Sequence, residues 1–257
     1  MNQSERRIYL IQSLLSESPR YQSVQIPTDV TGQKNLLRSL MNVRMPAPVS
    51  EEYLTVQDAY LKQDIAEKGI TLLDDLKPVK PDIYLWQGDI TTLACDAIVN
   101  AANSAMLGCF QILHNCIDNC IHSAAGLSLR NKCYEIMQHQ GYEEPTGRAK
   151  ITPAYNLPCK YVLHTVGPIV SGVLTEEDCE LLKSCYLSCL TLAEENNIKS
   201  IAFCCISTGV FGFPQKEAAK IAVNTVREYK QQTGSGIKVI FNVFKDEDLF
   251  IYQNILT

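Results

Sequence analysis

The sequence holds no apolar run approaching the roughly 20 residues of a bilayer span, so no membrane partner is expected. It carries no surplus of basic charge. Lys and Arg number 23 against 28 Asp and Glu, a net charge of −5, and nothing in the overall field draws the chain to nucleic acid. No secretory leader is expected either: Glu5, Arg6 and Arg7 precede an apolar stretch that stops at Leu15 with no small-residue cleavage site. Internal repeats and low-complexity tracts are absent. So is the H-x-E with P-C-x-x-C pattern of zinc nucleobase deaminases. Cysteine, by contrast, is plentiful. The count of 11 is odd, and 257 residues with 46% apolar content suffice for a core without bridges. Reduced thiols in a cytoplasmic protein fit this better than a disulfide framework.

The chain divides near its prolines. Ile8, Ile11, Leu14 and Leu15 recur at helical spacing, as do Leu36, Leu37, Leu40 and Met41. Tyr53, Val56, Tyr60 and Leu61 form a third set, with Ser50 placed as an N-cap. Pro78 and Pro81 mark a boundary, so 1–80 reads as a helical extension and 81–257 as the main domain. Beyond it strands and helices alternate. Ile83–Trp86, Ala97–Val99, Lys150–Thr152, Tyr161–His164, Ser200–Ile206 and Val239–Val243 read as strands. Ile117–His139, Glu177–Asn196, Lys216–Tyr229 and Asp246–Asn254 read as helices. This alternation predicts a three-layer α/β domain with a largely parallel sheet, whose ligands sit at the carboxyl ends of strands.

Two strand-to-helix junctions carry chemistry. In the first, Cys109, His114 and Cys116 follow Asn100-Ala-Ala-Asn103. Three soft or borderline ligands close together suit Zn²⁺, and three protein ligands leave the open position a catalytic zinc needs. The plainer reading is chance clustering in a Cys-rich chain, since free Cys packs as a small apolar residue. In the second, Ser207-Thr208-Gly209-Val210-Phe211-Gly212-Phe-Pro214 follows a buried strand and precedes a helix-starting proline. Such a turn can cradle phosphate with its N–H groups, although a lone GxxG is usually only a turn.

Four segments in order resemble the macrodomain: Gly88-Asp89-Ile90-Thr91, Asp96-Ala-Ile-Val-Asn100-Ala-Ala-Asn103, Ile121-His122-Ser-Ala-Ala-Gly126 and Ser207–Pro214. Cys109-Phe-Gln-Ile-Leu-His114-Asn-Cys116 stands where most macrodomains carry a glycine run, as in the zinc-containing microbial macrodomains. The resemblance covers about residues 82–257. It implies a three-layer α/β/α macrodomain with a mixed, largely parallel sheet, preceded by the helical extension. It also implies a zinc-dependent hydrolase that removes mono-ADP-ribose from proteins, cleaving at the anomeric carbon of the distal ribose. The modified protein would be a lipoyl carrier acted on by a sirtuin-type transferase. The competing class is a module that binds ADP-ribose without cleaving it, its zinc structural or redox-sensing and closed by a thiol such as Cys120.

The resemblance also distributes roles. Asp89 would accept from the adenine amino group, with Ile90 beside it; otherwise Asp89 is a solvated turn acid. Asn103 would contact the distal ribose, its plainer role being a turn after the strand. Asp118 would position or activate water, where the helix dipole alone would also favour an acid. Ser207, Thr208, Gly209, Val210 and Phe211 would hold the diphosphate, with Phe211 flanking the ribose. Phe244 either faces the adenine or belongs to the core. His122 is a rival ligand read as structural, and Cys120, Cys133, Cys185 and Cys189 read as core.

Overall fold

The computed structural model describes all 257 residues, Met1–Thr257. Three helices open the chain: α1 (Gln3–Ser16), α2 (Val30–Val43) and α3 (Glu51–Lys68). Each starts where a side chain accepts an otherwise unpaired first-turn N–H: Asn2 from Glu5, Asp29 from Gly32, and Ser50 from Tyr53. Their apolar stripes meet in a cluster of ten buried residues that includes Leu10, Ile11, Leu14, Leu37, Leu40 and Leu61.

The rest of the chain alternates. In order come β1 (Thr71–Leu72), β2 (Pro78–Lys80), β3 (Ile83–Gln87), β4 (Leu93–Ala94), β5 (Ala97–Ala102), α4 (Ile117–Ala125) and α5 (Leu127–Gln140). Then follow β6 (Ala149–Pro153), β7 (Tyr161–Val166), α6 (Glu176–Glu195), β8 (Ser200–Phe203), α7 (Gln215–Thr233), β9 (Lys238–Val243) and α8 (Asp246–Leu256). Seven strands form one sheet in the order β2-β3-β9-β8-β5-β7-β6. The five central strands are parallel, and the edge strands β2 and β6 run antiparallel to their neighbours. The sheet is therefore mixed and largely parallel, as expected. Ile98, Val99, Ile201, Val239 and Ile240 are fully buried in it, because a parallel sheet is covered on both faces.

Three local readings need correction. The single helix expected over Ile117–His139 is two helices, broken at Gly126. Gly126 takes φ +91°, and a Cβ there would lie 2.6 Å from the Gln57 side chain. Only glycine permits that conformation against so close a neighbour. Gln57 uses its amide oxygen to accept from the Leu127 N–H at 3.0 Å, which joins α3 to the break. The strand expected over Ser200–Ile206 ends at Phe203, where the chain turns into the loop leading to Ser207. Residues 71–80, expected to be part of a helical extension, instead form two short strands: β1 pairs with β4 and β2 extends the main sheet.

The topology creates a crevice. The chain leaves β5 toward β7 but leaves β8 toward β9, and β5 and β8 are neighbours. Right-handed crossovers in opposite directions put α4–α5 and α7 on opposite faces. The loops after β5 and β8 therefore separate, which opens a cleft at the carboxyl edge.

Candidate active site

Both signature loops border this crevice. Seven non-glycine residues in the chain have positive φ, and four lie in these loops: Met106, Phe110 and Leu113 after β5, and Ser207 after β8. Backbone held in such conformations costs of order 1–3 kcal/mol each and persists where the surroundings fix it for a purpose. Asn103 does part of the fixing. Its Nδ2 donates to the Gly108 carbonyl at 3.0 Å, and its Oδ1 accepts from the Ala105 N–H at 3.0 Å.

Cys109, His114 and Cys116 come together at the far end of that loop, with donor atoms all within 4.8 Å of one another. The Cys109 Sγ lies 3.7 Å from His114 Nδ1. Cys116 is also the N-cap of α4, its Sγ accepting from the Asn119 N–H at 3.4 Å. Burial pushes the Cys116 thiol up to about 12, against the pull of the Asn119 N–H. Two thiols and an imidazole at this spacing, both sulfurs receiving N–H groups, fit a borderline-soft divalent cation such as Zn²⁺. The structure thus gathers the three ligands named from the sequence. Cys120 stands outside the group, its Sγ 3.9 Å from Arg38 Nη2, so it does not close the triad.

A second group, His122, Cys133 and His164, is wholly buried with comparable spacing. It is a poor cation holder. His164 Nδ1 lies 3.1 Å from Asn100 Nδ2, and an amide nitrogen there can only donate. His164 Nε2 therefore carries the proton and faces Thr152 Oγ1 at 3.0 Å, so neither ring nitrogen is free to ligate. Burial lowers the His164 imidazole to about 3, which keeps it neutral. Cys133, Cys185 and Cys189 are fully buried, as the helical spacing suggested, whereas Cys120, read as core with them, is only half-buried.

Asp118 follows in the first turn of α4 and is 4% exposed. Asn100 Nδ2 donates to its Oδ1 at 2.8 Å. Burial raises the carboxyl from 3.8 to about 6, opposed by the Asn100 hydrogen bond and the Arg130 guanidinium. A carboxylate poised there can take a proton from water near neutral pH. One turn later His122 Nε2 lies 3.5 Å from Asp118 Oδ1. Its imidazole is held neutral by burial and by the charge of Arg130, and both ring nitrogens are buried with no hydrogen-bond partner. Sequence reasoning gave His122 a structural role; its i,i+4 spacing from Asp118 was the available signal that the two share a helix face.

The loop after β8 is shaped for an anion. Thr208, Gly212 and Phe213 bond their N–H groups within the turn, while Gly209, Val210 and Phe211 direct theirs to no backbone acceptor. The buried Ser207 Oγ also has no partner. Three consecutive unpaired N–H groups suit an oxygen-rich ligand; Ser207 Oγ itself packs against Gly167.

Asp89 caps a short turn after β3, its Oδ1 accepting from the Thr91 N–H at 3.0 Å and the Thr91 hydroxyl at 2.7 Å. Its other oxygen lies 4.0 Å from Lys68 Nζ. Ile90 is 1% exposed as a whole residue, so it belongs to the core. Phe244 is 75% exposed at the end of β9, which rules out the core reading for that ring.

A largely parallel sheet with three unpaired N–H groups in a loop at its carboxyl edge defines an α/β protein with a place for an anion. The chain matches the Macro domain family over residues 99–222. It is 61% identical over 261 residues to the protein-ADP-ribose hydrolase of Treponema medium, with 100% of both chains covered. It is 53% identical over 247 residues to the protein-ADP-ribose hydrolase of Staphylococcus aureus strain MRSA252, covering 95% of this chain and 92% of that one. The crystal structure of the Trypanosoma brucei macrodomain in complex with ADP-ribose superposes with a TM-score of 0.66 at 30% identity, covering 85% and 95%. This chain belongs to the macrodomain family.

Proposed function

We propose that this protein hydrolyses mono-ADP-ribose from modified proteins by cleaving at the anomeric carbon of the distal ribose. The observation that carries the reading is Asp118, a buried carboxylate raised to about 6 and sited two residues beyond the Cys109–His114–Cys116 triad. Relatives of the same length named as protein-ADP-ribose hydrolases support it.

Each wall of the crevice has a task. The exposed Asp89 oxygen selects the adenine amino group, and the Phe244 ring covers the base. The N–H groups of Gly209, Val210 and Phe211 hold the diphosphate, the buried Ser207 anchors the start of the loop, and the Thr208 turn keeps it closed. Phe211 and the loop pinned by Asn103 flank the distal ribose. Asp118 takes a proton from the attacking water as the bond from the anomeric carbon to the protein side chain breaks, and returns that proton to the departing side-chain atom. Cys109, His114 and Cys116 would hold Zn²⁺, which when bound supplies Lewis acidity beside that ribose. The eleven free thiols support a cytoplasmic setting.

The test is release of ADP-ribose from a panel of mono-ADP-ribosylated proteins, an ADP-ribosylated lipoyl-carrier protein among them, before and after zinc removal and re-addition. Zinc-restored release is expected. Tight ADP-ribose binding with no release would replace the hydrolase by a reader.

A further inference from the structure

The helical layer reaches into the metal loop, and it does so on both sides of His114. We propose that Arg38 and Asn42 of α2 are positioning residues that set how firmly the triad retains its metal. The proposal rests on the metal reading above.

Arg38 and Asn42 are one turn apart and share a helix face. Asn42 is 1% exposed; its Oδ1 accepts the Leu113 N–H at 3.0 Å and its Nδ2 donates to Ser123 Oγ at 2.9 Å. Arg38 Nη2 donates to the His114 carbonyl at 2.7 Å. The backbone that carries the imidazole is therefore gripped just before and just after it. The grip is needed, because Leu113 has φ +53°, a conformation a leucine does not keep unaided.

The same helix orients a contact to the sulfurs. Asn119 is 2% exposed, and its Oδ1 accepts from Arg38 Nη2 at 3.2 Å and from Ser123 Oγ at 3.2 Å. With the oxygen so engaged, Nδ2 points the other way and donates to Cys109 Sγ at 3.3 Å and to the Gln111 carbonyl at 2.9 Å. The Asn119 backbone N–H meets Cys116 Sγ at 3.4 Å. One residue thus gives an N–H to each sulfur, and a cation from α2 stands behind it. When the sulfurs are thiolates, these donors and the Arg38 charge offset the negative charge gathered around the cation. Partners of this outer kind are worth about 10–100-fold in metal affinity.

The experiment loads the full-length wild type, Arg38→Met, Arg38→Lys and Asn119→Asp with Co²⁺. It records the thiolate-to-cobalt absorption band and the rate of metal loss to a chelator. Arg38→Met and Asn119→Asp should lose metal about 10–100-fold faster. Arg38→Lys should recover part of the difference, because an ammonium restores the charge and can donate to the His114 carbonyl, while its shorter stem does not hold the nitrogen where Arg38 Nη2 meets both His114 and Asn119. Asn119→Asp is isosteric and keeps the acceptor for Arg38, so it decides the matter if Arg38→Met fails to fold. Wild-type release rates in folded Arg38→Met and Asn119→Asp would overturn the proposal while leaving the metal triad standing. A wild type with no thiolate-to-cobalt band would overturn the metal reading, and this inference with it.

Discussion

Replacing Asp118 with asparagine should make the folded protein more stable while removing its activity, and the gain should grow with pH. In the folded chain this carboxyl keeps its proton up to about pH 6, against an ordinary value of 3.8. Between those values the native state binds more protons than the unfolded chain. Stability therefore falls as pH rises through that window and stays lowered above it. The full penalty is about 3 kcal/mol, taking 1.36 kcal/mol for each tenfold change in the proton equilibrium. Asparagine cannot ionise and escapes it, and its side-chain oxygen can still accept from Asn100. The advantage of Asp118→Asn should be about 1 kcal/mol at pH 4.5 and about 3 kcal/mol at pH 8, by the same linkage. Urea denaturation of metal-free protein at the two pH values measures it, with no cation to alter the charge balance. Turnover should fall by roughly 10²–10⁴, the usual worth of a general base, and wild-type turnover should show an acid limb near pH 6. A variant no more stable than wild type at pH 8, or a gain independent of pH, would refute the argument that Asp118 is a desolvated, poised carboxylate.

Other substitutions test other parts. Gly126→Ala should destabilise the fold by about 1–3 kcal/mol, read by thermal denaturation, because its φ of +91° and the close Gln57 side chain both oppose a Cβ. Cys109→Ala should lose bound zinc and turnover while its far-UV circular dichroism stays that of wild type; full activity without metal would count against the zinc. Asp89→Ala should weaken ADP-ribose binding by calorimetry about tenfold, the worth of one hydrogen bond to a charged group. Unchanged affinity would remove Asp89 from the adenine contact.

Much of this was legible because it is local. The three helical stripes of the N-terminal layer, the Ser50 cap and the alternation that builds the sheet are periodicities and spacings, and short-range physics decides them. The Cys109, His114 and Cys116 grouping was legible because eight residues of loop cannot separate them far. The break at Gly126 was not, since the His-Ser-Ala-Ala stretch before it is an ordinary helical pattern. The break is made by Gly126 at φ +91°, and the Gln57 side chain that accepts the freed Leu127 N–H lies far away in sequence. The strand at Ser200 was read too long for a related reason: Cys204–Ile206 is as apolar as the strand before it, and only the crevice bends it away.

The sequence alone determined most of the element types, the order of the loops and the closeness of Cys109, His114 and Cys116, because those follow from residue chemistry and spacing of one to eight positions. Tertiary structure decided what those groups can do. Burial is what raises Asp118, against the hydrogen bond from Asn100, and the free N–H groups after β8 count only because of where the topology places that loop. The hold of Arg38 on His114 and of Asn42 on Leu113 spans more than 70 residues of chain. Desolvation and long-range hydrogen bonds depend on which surfaces the fold brings together, and no local pattern of residues encodes that.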